Sequence, residues 1–252
     1  MARDGLAAAV GALPAGWHAR YFDAVDSTQD EARAAAARGA PGRSLFVADF
    51  QRAGRGRRGR AWLAPPGAAL LVSMLFRETN PAPSPFRWTS LASVALAESI
   101  ERLLRLRPAI KWPNDLMLQS RKLAGILAET SWDGQHLVAV VGVGVNVNTR
   151  AADLASIPGP ATSLCVECGH PVDRGELLGE LVRGVERWLE RPAAEVHVAW
   201  ESRLWGRGQR LRLLDLGDEQ DVVVLGAHAD GSLRVRMADG AERTTTTGEL
   251  II

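Results

Sequence analysis

Two continuous apolar runs of strand length, Ala68 to Phe76 (AALLVSMLF) and His136 to Asn148 (HLVAVVGVGVNVN), constrain this chain more than any other feature. Neither approaches the length needed to span a membrane. The first does not alternate with polar residues as a strand with one wet face would and predicts a strand buried on both faces; the second, with glycines at 142 and 144 and asparagines at 146 and 148, predicts another buried strand. Ser44 to Phe50 (SLFVADF) reads as a further strand. The covering helices are legible too. Leu91, Val94, Ala95, Ile100, Leu103 and Leu104 recur at helical spacing within Trp88 to Leu106, and Leu177, Leu178, Leu181, Val182, Val185, Trp188 and Leu189 do so within Arg174 to Glu190. The expected class is α+β, a mixed central sheet flanked by helices.

The remaining segments fill in this frame. Residues 1–20 read as a lead-in with one helical turn, and Tyr21 to Val25 as a short strand. Ser27 with Asp30 matches a loose capping box for an alanine-rich helix, Glu31 to Arg38, ended by Gly39. A proline-rich connection spans Pro81 to Pro85. Ala109 to Leu118 is a strand interrupted by Trp112-Pro113-Asn114-Asp115, and Arg121 to Glu129 is another; Ala193 to Arg203 reads as helix. Beyond Trp205 the pattern changes to short alternating strands, Arg210 to Leu214, Val222 to Leu225, Ser232 to Met237 and Glu242 to Thr247, divided by Gly-Asp and Asp-Gly turns. They predict a small C-terminal β-barrel and two domains, 1–204 and 205–252.

The formal net charge is +1, which gives no general signature of nucleic-acid binding. Cys165 and Cys168 are too few for a disulfide framework, so a reducing compartment and cytoplasmic residence are expected. With His170 nearby they form a lone C-x-x-C, short of the four ligands of a structural zinc site. No protein-only metal site is expected. The G-x-G at Gly142 and Gly144 lacks a third glycine and a following helix, against a dinucleotide fingerprint.

Positive charge is instead concentrated locally. Gln51 to Arg60 holds five arginines and three glycines, and no acidic residue occurs between Phe50 and Arg77. Such a segment is expected to form neither helix nor strand. Glycine lets backbone approach a ligand, and arginine offers a fork of donors for phosphate or carboxylate, so an anion-binding loop is predicted. Of 30 basic residues only Lys111 and Lys122 are lysine, which singles them out for positions that need a compact ammonium. Ser27 and Thr28 at a helix start admit either a capping role or a polar ligand. Trp62 beside the loop could stack on a base. Together these residues suit a ligand with several negative charges and a flat ring, as in a nucleotide-using enzyme such as an adenylating one.

Three ordered blocks carry a resemblance. Gln51-x-Ala53-Gly54-Arg55-Gly56-Arg57-Arg58-Gly59-Arg60-x-Trp62, Lys111-Trp112-Pro113-Asn114-Asp115 and Arg121-Lys122-Leu123-Ala124-Gly125-Ile126 resemble the signature blocks of biotin protein ligases. Asp26-Ser27-Thr28, the Gly142 to Asn146 strand and Gly248-Glu249 fall in the same order, so the likeness runs from about Val25 to the C-terminus. It implies a class II synthetase-like catalytic domain with an SH3-like C-terminal barrel. It also implies a two-step reaction: biotin and MgATP give biotinyl-5′-adenylate, and biotin then passes to one lysine of a biotin carboxyl carrier protein or domain of acetyl-CoA carboxylase or a related carboxylase.

By the same resemblance Ser27, Thr28, Gln29, Gln51 and Gly125 surround the biotin head. Arg55, Gly56 and Arg57 close over biotin and the adenylate phosphate. Lys122 holds the reacting oxygens, with Arg57 and Lys111 supporting it. Arg60, Trp62, Asn114, Asp115 and Asn146 take ATP, whose Mg2+ lies near Asp115. The helix-turn-helix of bifunctional members has no counterpart in the sequence, so DNA is not an expected partner; with no run long enough to span a membrane, neither is a membrane, and the protein is expected to be a monomer or homodimer. A lipoate or octanoate transferase and a non-catalytic nucleic-acid-binding protein are the alternatives.

Overall fold

A computed structural model describes residues 5–79, 85–215 and 217–251. The proline-rich connection, apart from Pro85, lies outside them. In chain order come α1 (Leu6–Gly11), β1 (His18–Phe22), α2 (Thr28–Ala37) and β2 (Ser44–Ala48). The two-residue strands β3 (Gly54–Arg55) and β4 (Ala61–Trp62) precede β5 (Ala69–Glu78) and α3 (Phe86–Leu104). Then follow β6 (Ala109–Lys111), β7 (Asp115–Leu118), β8 (Arg121–Trp132) and β9 (Leu137–Asn146). Helices α4 (Ala151–Leu154), α5 (Leu164–Cys168), α6 (Arg174–Leu189) and α7 (Ala193–Glu201) lead to β10 (Arg210–Asp215), β11 (Asp218–Ala227), β12 (Leu233–Met237), β13 (Glu242–Thr245) and β14 (Glu249–Ile251).

The central sheet has the order β1-β2-β5-β9-β8-β7-β6; only β1 and β2 run parallel, and the mixed sheet expected from the sequence is present. Strand periodicity divides its residues between two faces. Leu70, Val72 and Met74 of β5, with Val141, Val143 and Val145 of β9, pack on Leu91, Ala95, Leu177 and Leu181 of α3 and α6. On the opposite face Phe46, Leu75, Val138 and Val140 meet Ala32 and Ala35 of α2. Helix α2 covers only part of that face. The rest of it, at Leu71, Ser73, Gly125, Leu127, Gly142, Gly144 and Asn146, lines a cavity.

A second core joins the sheet end to the C-terminal strands: Val94, Ile110, Trp112, Trp200 and Leu204 pack with Leu213, Val222, Val224, Leu233, Val235 and Leu250. Trp112 Nε1 donates to the Gly231 carbonyl oxygen at 2.9 Å, fixing the loop between β11 and β12 against the turn before β7.

Three expectations are corrected. The C-terminal strands form an open antiparallel sheet, β13-β12-β11-β10-β14, in place of a closed barrel. Strands β13 and β14 are short and pair with β12 and β10 respectively, on opposite edges, so no ladder joins them. The arginine segment is not devoid of regular structure: β3 pairs antiparallel with β4 around a 3-10 turn at Arg57–Gly59. Gly54 makes that possible, because a Cβ there would lie 2.5 Å from the Trp62 carbonyl oxygen. Ser27 occupies the N-cap position of α2 but makes no side-chain cap bond.

Candidate active site

The cavity has a volume of about 310 Å3, within the range of small-molecule sites. Its floor is a consequence of register. Ser73, Gly142 and Leu127 lie side by side across β5, β9 and β8, and Leu71, Gly144 and Gly125 form the next row, with Asp115 of β7 opposite Gly125. In the VGVGVNV run from Val141 to Val147 the valines therefore enter the core under α3 and α6, while the glycines and Asn146 leave the other face bare. The two glycines are occupied from above. A Cβ on Gly144 would lie 2.7 Å from Trp62 Cε2, and one on Gly142 would lie 2.6 Å from Gln29 Oε1.

One wall is the start of α2, where Thr28 donates to Gln51 Oε1 from its backbone N–H at 2.7 Å and its hydroxyl at 3.0 Å. Another is the arginine hairpin. Arg55 Nε is 3.0 Å from Asp30 Oδ2, Arg57 Nη1 donates to Asn114 Oδ1 at 3.2 Å, and Arg60 Nη2 is 2.8 Å from Glu249 Oε2. These contacts tie the hairpin to α2, to the turn before β7 and to the C-terminal sheet. Lys122 Nζ stands 2.7 Å from Asp115 Oδ1 and 5.9 Å from the Trp62 ring centroid. The backbone of Lys122 is clamped in turn, its N–H donating to the Pro160 carbonyl at 2.8 Å and its carbonyl accepting from Thr162 at 2.9 Å.

Two groups are electrostatically displaced from ordinary behaviour. Burial, followed by the neighbouring Arg58 charge, lowers the pKa of Arg57, against the opposing pull of Asp115. Burial pushes Glu249 up, but the Arg60 hydrogen bond and the Lys111, Arg60 and Lys122 charges together outweigh it, so its carboxyl lies below the usual range.

Every residue proposed from the sequence for biotin or ATP lines this cavity. Lys111 does not. It is buried in β6 with its Nζ 3.7 Å from Glu249 Oε1, which places it behind the carboxylate that holds Arg60. Among the described residues, Ser27 Oγ, Trp62 Nε1 and Asn146 Oδ1 are buried without a protein partner, and all three side chains line the cavity. Buried polar atoms are normally satisfied; such atoms also occur away from the cavity, on Trp88, Thr149, His197 and Trp200, but these three share one cavity, where a ligand's donors and acceptors could reach them. Sequence reading missed Ser73 and the segment Ile157, Pro158 and Ala161, which also line the space. Ser73 is the polar break in an apolar strand, a signal that was available. The second segment carries only loop composition, and tertiary contact alone brings it to the site.

Cys165 and Cys168 lie half-buried on α5, and burial together with Cys165 and Glu167 raises the Cys168 thiol pKa. Among the described residues no group of three or more His, Cys, Asp or Glu side chains is placed to hold a metal ion. No helix among them is long and apolar enough to cross a membrane.

Residues 21–146, half of the chain, match the model of the "Biotin/lipoate A/B protein ligase family". The chain belongs to that family. Among curated members it is 34% identical to the biotin--[acetyl-CoA-carboxylase] ligase of Paracoccus denitrificans, over 86% of this chain and 93% of the relative. It is also 34% identical to the Mycobacterium tuberculosis enzyme of the same name, over 87% and 83%. Among solved structures, the Aquifex aeolicus biotin protein ligase in complex with biotin and ATP superposes with a TM-score of 0.76 at 27% identity, covering 93% of this chain and 97% of that one. The mixed sheet with flanking helices is thus the fold of biotin protein ligases.

Proposed function

We propose that this member of the family activates biotin with ATP to biotinyl-5′-adenylate and transfers the biotinyl group to a lysine of a biotin carboxyl carrier protein. The observation that carries this reading is the meeting of Ser27 Oγ, Trp62 Nε1 and Asn146 Oδ1, all unsatisfied, with Arg55, Arg57, Arg60 and Lys122 around one cavity. The names of the relatives and the biotin and ATP bound in the Aquifex protein support it.

The chemistry follows from charge. A carboxylate oxygen of biotin must attack the α-phosphorus of ATP, breaking its bond to pyrophosphate, although both partners are negative. Lys122 and Arg57, both lining the cavity, would neutralise the approaching oxygens, and Arg60 would hold phosphate; positioning and neutralisation supply most of such a barrier reduction. Ser27, Thr28, Gln29 and Gln51 would face the head group, with Gly125 in its wall. Trp62 would offer its ring to adenine, with Asn114, Asp115 and Asn146 placing the nucleotide. Mg2+ would arrive with the ATP phosphates, Asp115 being the cavity carboxylate available to it. Arg55, Gly56 and Arg57 would close over the adenylate, since glycine-rich charged loops act as lids. In the second step the acceptor amine attacks the acyl carbon and AMP leaves. Lys111 would act through Glu249, at one remove from the reacting atoms.

The test is to incubate the protein with biotin and MgATP, follow pyrophosphate and biotinyl-adenylate, then add a carrier domain and measure its biotinylation by mass. Formation of all three products is expected. Adenylation of lipoate or octanoate in place of biotin would move the assignment within the family; binding of nucleic acid without pyrophosphate release would end it.

A further inference from the structure

We infer that Ser73 and Glu129 are positioning residues for the head-group pocket, fixing which way the hydrogen-bonding groups of Thr28 and Gln29 face; this rests on the biotin reading above. Ser73 is wholly buried in β5 and stands beside Gly142 in the sheet. Its hydroxyl donates to Gln29 Oε1 at 3.1 Å and lies 2.9 Å from Thr28 Oγ1. On its other side the Gln29 amide donates from Nε2 to Glu129 Oε2 at 2.8 Å and to the Val140 carbonyl at 3.2 Å. Glu129 is also 3.6 Å from Arg33 Nη1 of α2. A chain of polar contacts thus runs from Arg33 through Glu129, Gln29, Ser73 and Thr28 to Gln51, along the α2 side of the cavity.

The directions of the bonds that Gln29 makes to Ser73 and to Glu129 are forced. An ionised carboxylate and a backbone carbonyl only accept, so the Gln29 nitrogen must face them and its oxygen must face Ser73. That oxygen also only accepts, which commits the single Ser73 proton to Gln29. Thr28 then spends its own proton on Ser73 Oγ or on Gln51 Oε1, and in either case its hydroxyl has only lone pairs left for the cavity. Thr28 is thereby made an acceptor. Beside it the unpartnered Ser27 hydroxyl is free to donate. An acceptor next to a donor matches a cyclic urea, which presents N–H beside C=O. It does not match a dithiolane ring or an alkyl chain, which would leave both groups unsatisfied. Gly142 completes the device, because a side chain there would expel the Gln29 amide.

The network therefore favours ureido-bearing acyl groups over other substrates of the wider family without itself forming or breaking bonds. The test uses the full chain and four proteins: wild type, Ser73→Ala, Glu129→Met and Glu129→Gln. Biotin and ATP dissociation constants are measured separately by calorimetry, with melting temperature as a folding control. Ser73→Ala is expected to weaken biotin about tenfold, as loss of a buried hydrogen bond does, and Glu129→Met several-fold. Glu129→Gln, which can still accept from Gln29, should stay within about twofold of wild type. ATP affinity should be unchanged in all. Biotin affinity of Ser73→Ala within twofold of wild type, or parallel loss of biotin and ATP affinity, would overturn the inference while leaving the ligase reading standing. A wild-type protein that binds no biotin would overturn both.

Discussion

Lys122 Nζ is 2.7 Å from Asp115 Oδ1 across neighbouring strands, so one of the chain's two lysines is held at the cavity wall by a carboxylate at the start of β7. Lys122→Ala removes the compact cation that the carboxylate and phosphate would share. Adenylate formation, read as pyrophosphate release, is expected to fall at least ~100-fold. The melting temperature should drop only a few degrees, since the site holds other cations to face Asp115. Near-normal turnover would show that Lys122 is not the neutralising group.

Gly144→Ala places a methyl 2.7 Å from Trp62 Cε2 in a strand that cannot yield. The indole must leave the floor. ATP affinity is expected to fall about tenfold, the worth of one stacking contact, whereas the apolar face of β9 is untouched and urea unfolding should change little. Unaltered ATP binding would mean that the observed Trp62 position is irrelevant to the nucleotide.

The Glu249 carboxyl, lowered by Arg60, Lys111 and Lys122 against the effect of burial, gives a pH dependence with a definite sign. Its stabilisation is fully present above the ordinary glutamate pKa and is lost as pH falls through the lower folded value. Melting curves of wild type and Glu249→Gln should therefore differ most near neutrality and converge only once the pH has fallen below the lowered folded pKa, itself under the ordinary glutamate value of about 4.3. A gap that widens on acidification would exclude the Arg60–Glu249 contact as its source.

Trp200 is fully buried, packs edge-on against Phe86 at 5.0 Å between ring centroids, and belongs to the core shared by the sheet end and the C-terminal strands. Trp200→Ala is expected to cost about 3–5 kcal/mol in urea unfolding. Chain 205–252 should loosen with the rest, which amide exchange would report as parallel loss of protection in β11 and α7.

The sequence by itself determined the strands and helices of the central layer, because continuous apolar runs and helical spacing are local consequences of burial. It also determined the chemical character of the site. Arginine and glycine crowded at Gln51 to Arg60, and lysine surviving only at 111 and 122, read as charge neutralisation before any fold is known.

Only the tertiary structure decided which of these groups meet. Register set Gly142 and Gly144 under Gln29 and Trp62, placed Lys111 behind Glu249 and outside the cavity, and turned Ser27 from a helix cap into an unpartnered hydroxyl. It also left the C-terminal sheet open, since β13 and β14 pair at opposite edges. The physical reason is range. Propensity and periodicity act over a few neighbouring residues, whereas a pocket is made of bonds such as Arg60 to Glu249, 189 positions apart, whose partners nothing in the local sequence names.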